Sequence, residues 1–288
     1  MTGPSVVALG GGHGLAASLR SARCYAGEIV GIVSVADDGG SSGRLRRELG
    51  VPAPGDLRRC LSALAGDNSL LARSLEHSFD RGSLEGHPIG NLLIAGLTSA
   101  CGDFETAVRE VARLVGAEGV IYPATREAVT LLADSGEGRL CGQVTIERGS
   151  NIRNVRFDPA NPKSPDAAIQ AIIDADQVVI GPGSLYTSVL AAAVVPAIRV
   201  ALLHTRAQRV FVANIANDRG HALGFDRPEH VETLRQHGIV MDAVVALPGT
   251  FRVEEVDAHV VVADVAHSDR YQHDPNKLGV ALDALLSH

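Results

Sequence analysis

Ser5-Val6-Val7-Ala8-Leu9-Gly10-Gly11-Gly12-His13-Gly14 opens the chain with a short apolar run that stops on four glycines in five residues. Residues 15–22 follow, with Leu15 and Leu19 spaced as on one face of a helix, and 28–35 (EIVGIVSV) form a second apolar run. Continuous apolar strands that alternate with helices belong to a parallel sheet covered on both faces. The pattern returns later: a helix over 166–175, an apolar strand at 177–180, the turn Gly181-Pro182-Gly183-Ser184, a helix from Leu185, and a strand at 209–214 that ends on Asn214. The expected fold class is therefore α/β, a Rossmann-like, doubly wound, mostly parallel sheet, with 1–288 as one domain.

Between these halves, the second strand ends in Ala36-Asp37-Asp38, and Gly39-Gly40-Ser41-Ser42-Gly43 reads as a flexible loop. Arg44, Arg46 and Arg47 fall near the start of the helix expected after it. Pro52-Ala53-Pro54-Gly55 is a break, and Asp56 stands where an N-cap belongs, ahead of Leu57, Leu61 and Leu64. Gly86-His87-Pro88-Ile89-Gly90-Asn91 reads as a turn opening an apolar helix over 92–100, followed by an amphipathic helix over 103–114. Residues 119–147 change to short segments broken by Ser135-Gly136-Glu137-Gly138, which predicts a small antiparallel hairpin insertion, β-rich near 119–157. Residues 151–165, rich in Pro, Asn and Asp, read as loop. A helix over 228–237, strands at 242–247 and 259–263, and a final helix capped by Asp274 with Pro275 at its first position complete the chain.

Composition narrows the function. Aromatic residues are 3% of 288, with six Phe, four Tyr and no Trp, whereas Gly reaches 31. Proteins that stack on successive nucleobases use aromatic platforms. Duplex binding needs a basic surface, and the formal net charge here is −7. No nucleic-acid partner is expected. Cys24, Cys60, Cys101 and Cys141 show no CxxC or Cys/His zinc spacing, so buried thiols in a reducing compartment are expected. No secretory leader or membrane span is evident, since the apolar stretch 188–203 is interrupted by Pro196 and Arg199. A cytoplasmic protein is expected.

Three glycine-rich turns follow apolar strands, and in an open parallel sheet ligands sit beyond the carboxyl ends of strands. Glycine lets backbone N–H groups approach an anion, and the following helix aims its N-terminal donors at the same place. A phosphate or pyrophosphate group is the natural guest of Gly10, Gly11, Gly12, His13, Gly14 and Leu15. The strict GxGxxG fingerprint is not met, because Leu15 stands where its third glycine belongs, and a Walker A lysine is missing. NAD(P) therefore remains only an alternative ligand. Asp37 and Asp38 suit a ribose hydroxyl or Mg²⁺. Gly40, Ser41, Ser42, Arg44 and Arg58 are candidates for phosphate contact. His13 suits a phosphate or proton transfer. His87 is better read as holding its turn. Ser184 lacks the GxSxG of a nucleophile elbow and suits an N-cap or phosphate contact.

Taken in order, Gly10 to Leu15 (GGGHGL), Val35 to Leu45 (VADDGGSSGRL), Pro54 to Arg58 (PGDLR), Gly86 to Leu92 (GHPIGNL) and Gly181 to Ser188 (GPGSLYTS) resemble the YvcK family of gluconeogenesis factors, within the CofD-like superfamily. The resemblance runs from about residue 5 to 285. His13 and His273-Asp274-Pro275 look like its actinobacterial, CuvA-like branch. It implies a Rossmann-like fold binding a UDP-sugar such as UDP-N-acetylglucosamine, and a regulatory role linking carbon metabolism to peptidoglycan synthesis and cell shape. The site it implies uses Gly10 to Leu15, Asp37, Asp38, Asn91, Gly181, Gly183, Ser184, Leu185 and Asn214. Regulatory protein partners and a homo-oligomer are expected. The alternative is a CofD-like phospholactyl-type transferase, with Mg²⁺ on Asp37, Asp38 and Asp56. One departure is the segment 215–221 (IANDRGH), where relatives carry a sequence like MTQxGET. The scarcity of aromatics predicts a base held by aliphatic packing and hydrogen bonds.

Overall fold

The computed structural model describes residues 3–65, 70–215, 227–250 and 256–287. β1 (Ser5–Gly10), β2 (Glu28–Val33) and β3 (Val120–Pro123) pair in parallel on one side, and β7 (Gln177–Ile180), β8 (Gln208–Val212), β9 (Ala243–Ala246) and β10 (His259–Val262) on the other. The sheet order is β10-β9-β8-β7-β1-β2-β3, so the direction of winding reverses between β1 and β7. β1, β7 and β9 are almost wholly buried, as their unbroken Val, Ile, Leu and Ala content requires of a sheet covered on both faces.

Right-handed crossovers that run in opposite directions along a sheet place their helices on opposite faces. Accordingly α1 (Gly12–Ala22) packs with α3 (Gly55–Leu64) and α12 (Pro275–Leu286), whereas α8 (Asp166–Asp174) packs with α10 (Pro196–His204). α2 (Gly40–Leu49), α4 (Leu70–Glu76), α5 (Ile89–Cys101) and α6 (Phe104–Val115) fill the chain between β2 and β3. α11 (Arg227–Gln236) precedes Gly238, whose positive φ of 77° ends the turn after it. Asp274 caps α12 with its carboxylate, as expected, and Asp103, expected as the first residue of its helix, caps α6 in the same way.

Several expectations are corrected. The loop expected at 39–43 is helical from Gly40, and Arg46 and Arg47 fall in the last turn of α2. Asp56 is not an N-cap; Pro54 holds that position and Asp56 lies inside the first turn of α3. α5 starts three residues early, with Gly90 and Asn91 inside it. The insertion is shorter than expected, because β3 joins the parallel sheet. Its three strands are β4 (Thr130–Ser135), β5 (Gly138–Cys141) and β6 (Arg153–Asp158), in the order β5-β4-β6, with the helix α7 (Gln143–Arg148) between β5 and β6. β6 arises where a loop was expected, since Val155 and Phe157 alternate inward and pair with β4. The helix after β7 begins as a π-turn, Leu185–Val189, before α9 (Leu190–Ala193). Among the described residues no single helix is long and apolar enough to cross a membrane, and the apolar pair Leu185–Ala193 and Pro196–His204 is bent by 75°.

Candidate functional site

The turns after β1 and β7 meet where the winding reverses. A Cβ on Gly14 would stand 2.1 Å from the carbonyl oxygen of Pro182, so only glycine permits this approach. Ser18 donates its hydroxyl to the Gly181 carbonyl at 2.6 Å, tying α1 to the second turn. Asn214, two residues beyond β8, accepts from the Gly183 N–H at 2.9 Å and donates to the Gly183 carbonyl at 3.0 Å. Gly183 has a φ of +136° that L side chains rarely adopt, and the Asn214 carboxamide holds it there. Leu15 is fully buried in the core, so its side chain supports the turn from behind. Ser184 accepts a hydrogen bond from the Thr187 hydroxyl at 2.7 Å, and Leu185 is buried.

A cleft of about 590 Å³ opens beside these turns. Its walls include His13, Arg20, Pro182, Asn214, Tyr271 and His273. Desolvation, and then the charges of Arg59, Arg58 and Arg20, hold the His13 imidazole below its ordinary value, against the pull of Glu76. Arg58 and Arg59 are each ion-paired, so Arg20 is the cation on the cleft wall that favours an anionic guest. Burial also draws His273 down to about 4, and the ring donates from Nε2 to the Ala213 carbonyl at 3.2 Å. A second cleft, about 400 Å³ and lined by Arg23, Glu28, Glu118 and Val120, lies at the opposite, amino end of β2 and β3, far from the glycine turns.

The other site candidates gather at α2. Asp37 Oδ1 accepts from the Gly39 N–H at 2.9 Å. Asp38 Oδ1 accepts from the Val144 N–H at 3.0 Å, which makes it a cap for α7 supplied from across the fold. Ser41 Oγ lies 2.8 Å from His87 Nδ1 and accepts from Asn91 Nδ2 at 3.1 Å. Asn91 is 2% exposed, and among the described residues its Oδ1 has no hydrogen-bond partner. Arg44 donates to the Glu85 carbonyl at 2.8 Å, and buried Arg58 pairs with Glu76. Gly40 and Ser42 open α2.

Asp56 joins the two groups. Its carboxylate accepts from the Gly12 N–H and pairs with Arg59 at 2.7 Å. Burial pushes its carboxyl up, Arg59 draws it down, and Asp37 pushes it up again. A Cβ on Gly11 would stand 2.6 Å from Asp56 Oδ2, so the acid sits directly against the first turn. Of the residues expected at the site, His13, Gly14, Gly183 and Asn214 line the cleft, whereas Gly11 and Gly12 face Asp56. Asp37, Ser41, Arg58 and Asn91 form a neighbouring polar cluster that Asp56 joins to the first turn. The departure at 215–221 lies outside the described residues from 216 onward. Arg20, Arg59 and Tyr271 were not singled out from sequence. Arg20 follows His13 at i+7 on the same helix face, a spacing that could have found it; Tyr271 carries no such signal.

An open parallel sheet with paired glycine turns and a ligand-sized cleft at its winding reversal defines a Rossmann-like α/β protein with its site at the carboxyl edge. The family described as 2-phospho-L-lactate transferase CofD matches residues 6–284. A gluconeogenesis-factor relative from Mycobacterium leprae is 41% identical over 98% of this chain and 86% of its own. The gluconeogenesis factor of Halalkalibacterium halodurans is 40% identical over 84% of this chain and 77% of its own. A crystal structure of a UPF0052 family protein from Bacillus halodurans superposes with a TM-score of 0.93 and 32% identity, covering 98% of this chain and 99% of that one. The chain belongs to the CofD family, among its YvcK-type gluconeogenesis factors.

Proposed function

We propose that the protein binds a nucleotide-linked sugar of the UDP-N-acetylglucosamine type at the β1/β7 reversal and acts as a regulator that couples central carbon metabolism to cell-wall synthesis and cell shape. The observation that carries this reading is the contact of Gly14 with Pro182, with Asn214 fixing Gly183. It goes with His13 and Gly14, in the first turn of α1, lining the cleft beside Arg20, an arrangement suited to a diphosphate. Calorimetry with UDP-N-acetylglucosamine tests it. The expected result is micromolar binding, about −8 kcal/mol or weaker, abolished in Asn214→Ala; no heat from the intact protein would sink the ligand assignment.

The name of the matching family supports a second reading, a transferase of phospholactyl-type groups with Mg²⁺. CofD-like membership is compatible with that ion, but the side chains fit it poorly. Asp38 caps α7, and Asp56 already receives the charge of Arg59 and the Gly12 N–H. Among the described residues no three His, Cys, Asp or Glu side chains converge as metal ligands. We expect no product from a guanylated donor, a deazaflavin acceptor and Mg²⁺; turnover above background would show that regulation is not the whole account. NAD(P) has the weakest support, with Leu15 in the core where the dinucleotide fingerprint needs glycine.

A further inference from the structure

We propose that Tyr271 is the base-recognition residue of the cleft and stacks its ring on the planar base of the bound nucleotide. The inference rests on the reading of the cleft as a nucleotide site. It departs from the expectation, drawn from the scarcity of aromatics, of a base held by aliphatic packing and hydrogen bonds.

Tyr271 is 78% exposed in a chain with only ten aromatic rings of the Phe, Tyr and Trp type, yet it sits on a tightly built turn. The Asp269 carboxylate accepts from the Tyr271 N–H at 2.9 Å and from the Gln272 N–H at 3.3 Å. The His267 N–H donates to the Gln272 carbonyl at 2.8 Å, and the Arg270 N–H returns to the His267 carbonyl at 2.9 Å. Arg270 takes a φ of 57° to close this turn. An antiparallel bridge joins Ala266 to His273, and His273 ties the turn to Ala213 at the end of β8.

These bonds order the segment without burying Tyr271. The turn therefore holds an amphipathic ring at the lip of the cleft. The same cleft is walled by Gly14, Ala17, Pro182 and Gly183, small or flat groups that leave room for a planar guest beside the ring. Arg20 lines the same cleft, and among the described residues Tyr271 is the one ring of the Phe, Tyr or Trp type on its wall. A π-face is a sequence-tolerant platform for a base, and the Tyr hydroxyl is free to stay wet at the rim.

Calorimetry of the full chain with UDP and with inorganic pyrophosphate separates the two levels of the argument. Tyr271→Ala is expected to weaken UDP binding about tenfold, Tyr271→Phe to restore it to within about twofold, and pyrophosphate to bind all three proteins alike. The chain has no Trp, so Tyr271→Trp supplies a single indole reporter. Its emission should quench with UDP and stay unchanged with pyrophosphate. Equal UDP affinity in wild type and Tyr271→Ala overturns the stacking role and leaves the nucleotide reading standing. Failure of wild type to bind either UDP or pyrophosphate overturns both.

Discussion

Gly14 shows how one atom's absence sets the site. The main chain of Pro182 occupies the place a Cβ would take. Gly14→Ala is therefore expected to cost about 1–3 kcal/mol through overpacking, and to abolish nucleotide binding by parting the two turns. A urea titration and calorimetry on the same variant check both effects. His273 provides a second test. Its pKa falls from the ordinary 6.5 to about 4, so between these values the unfolded chain holds a proton that the folded chain lacks. Its contribution is fully present above pH 6.5 and is lost as pH falls toward 4, at most about 3 kcal/mol. His273→Gln keeps an N–H donor for Ala213 and removes the titration. Urea midpoints at pH 7.5 and pH 5 should lie closer together in this variant than in wild type; an unchanged gap would refute the assignment.

At the scale of elements, the insertion and the sheet are joined by Asp38. α7 has Gly142 at its N-cap, with no side-chain cap of its own, and Asp38 accepts from Val144 instead. Asp38→Ala is expected to lower stability by about 1 kcal/mol, the worth of a lost cap, and to speed amide exchange at 143–148. Asp38→Asn should recover much of that protection, because a carboxamide oxygen still accepts from N–H. Exchange rates at 143–148 that match wild type in Asp38→Ala would show that the cap is dispensable. The acidic pair was legible in the sequence as a feature at the end of β2, but its use was not. Asp38 meets Val144 across 106 residues, and no local pattern reports such a pairing. β6 was missed for a related reason: with three prolines among its neighbours at 151–165, it is a strand only because β4 offers it a partner.

At the scale of the whole molecule, ligand binding and folding are linked. A ligand that binds only the folded protein adds about 2.7 kcal/mol at one hundred times its Kd. UDP-N-acetylglucosamine at that ratio should raise the thermal midpoint of wild type and leave that of Asn214→Ala unmoved. Mass spectrometry of small molecules that copurify with the protein tests the same linkage without choosing a ligand, and a UDP-sugar is the expected finding.

The sequence by itself determined the class of fold, the places of the main strands and the clustering of glycine at their carboxyl ends. Those properties are local: an apolar run of five or six residues must be buried, and a glycine-rich stretch after it must turn. The tertiary structure alone decided which turns touch, that β3 extends the parallel sheet, that Asp38 and Asp56 are spent on the backbone N–H groups of Val144 and Gly12, and that Tyr271 reaches a cleft begun by Gly14. Each of these joins segments tens to hundreds of residues apart, and such meetings follow from the order in which strands pair and the face on which each crossover lies.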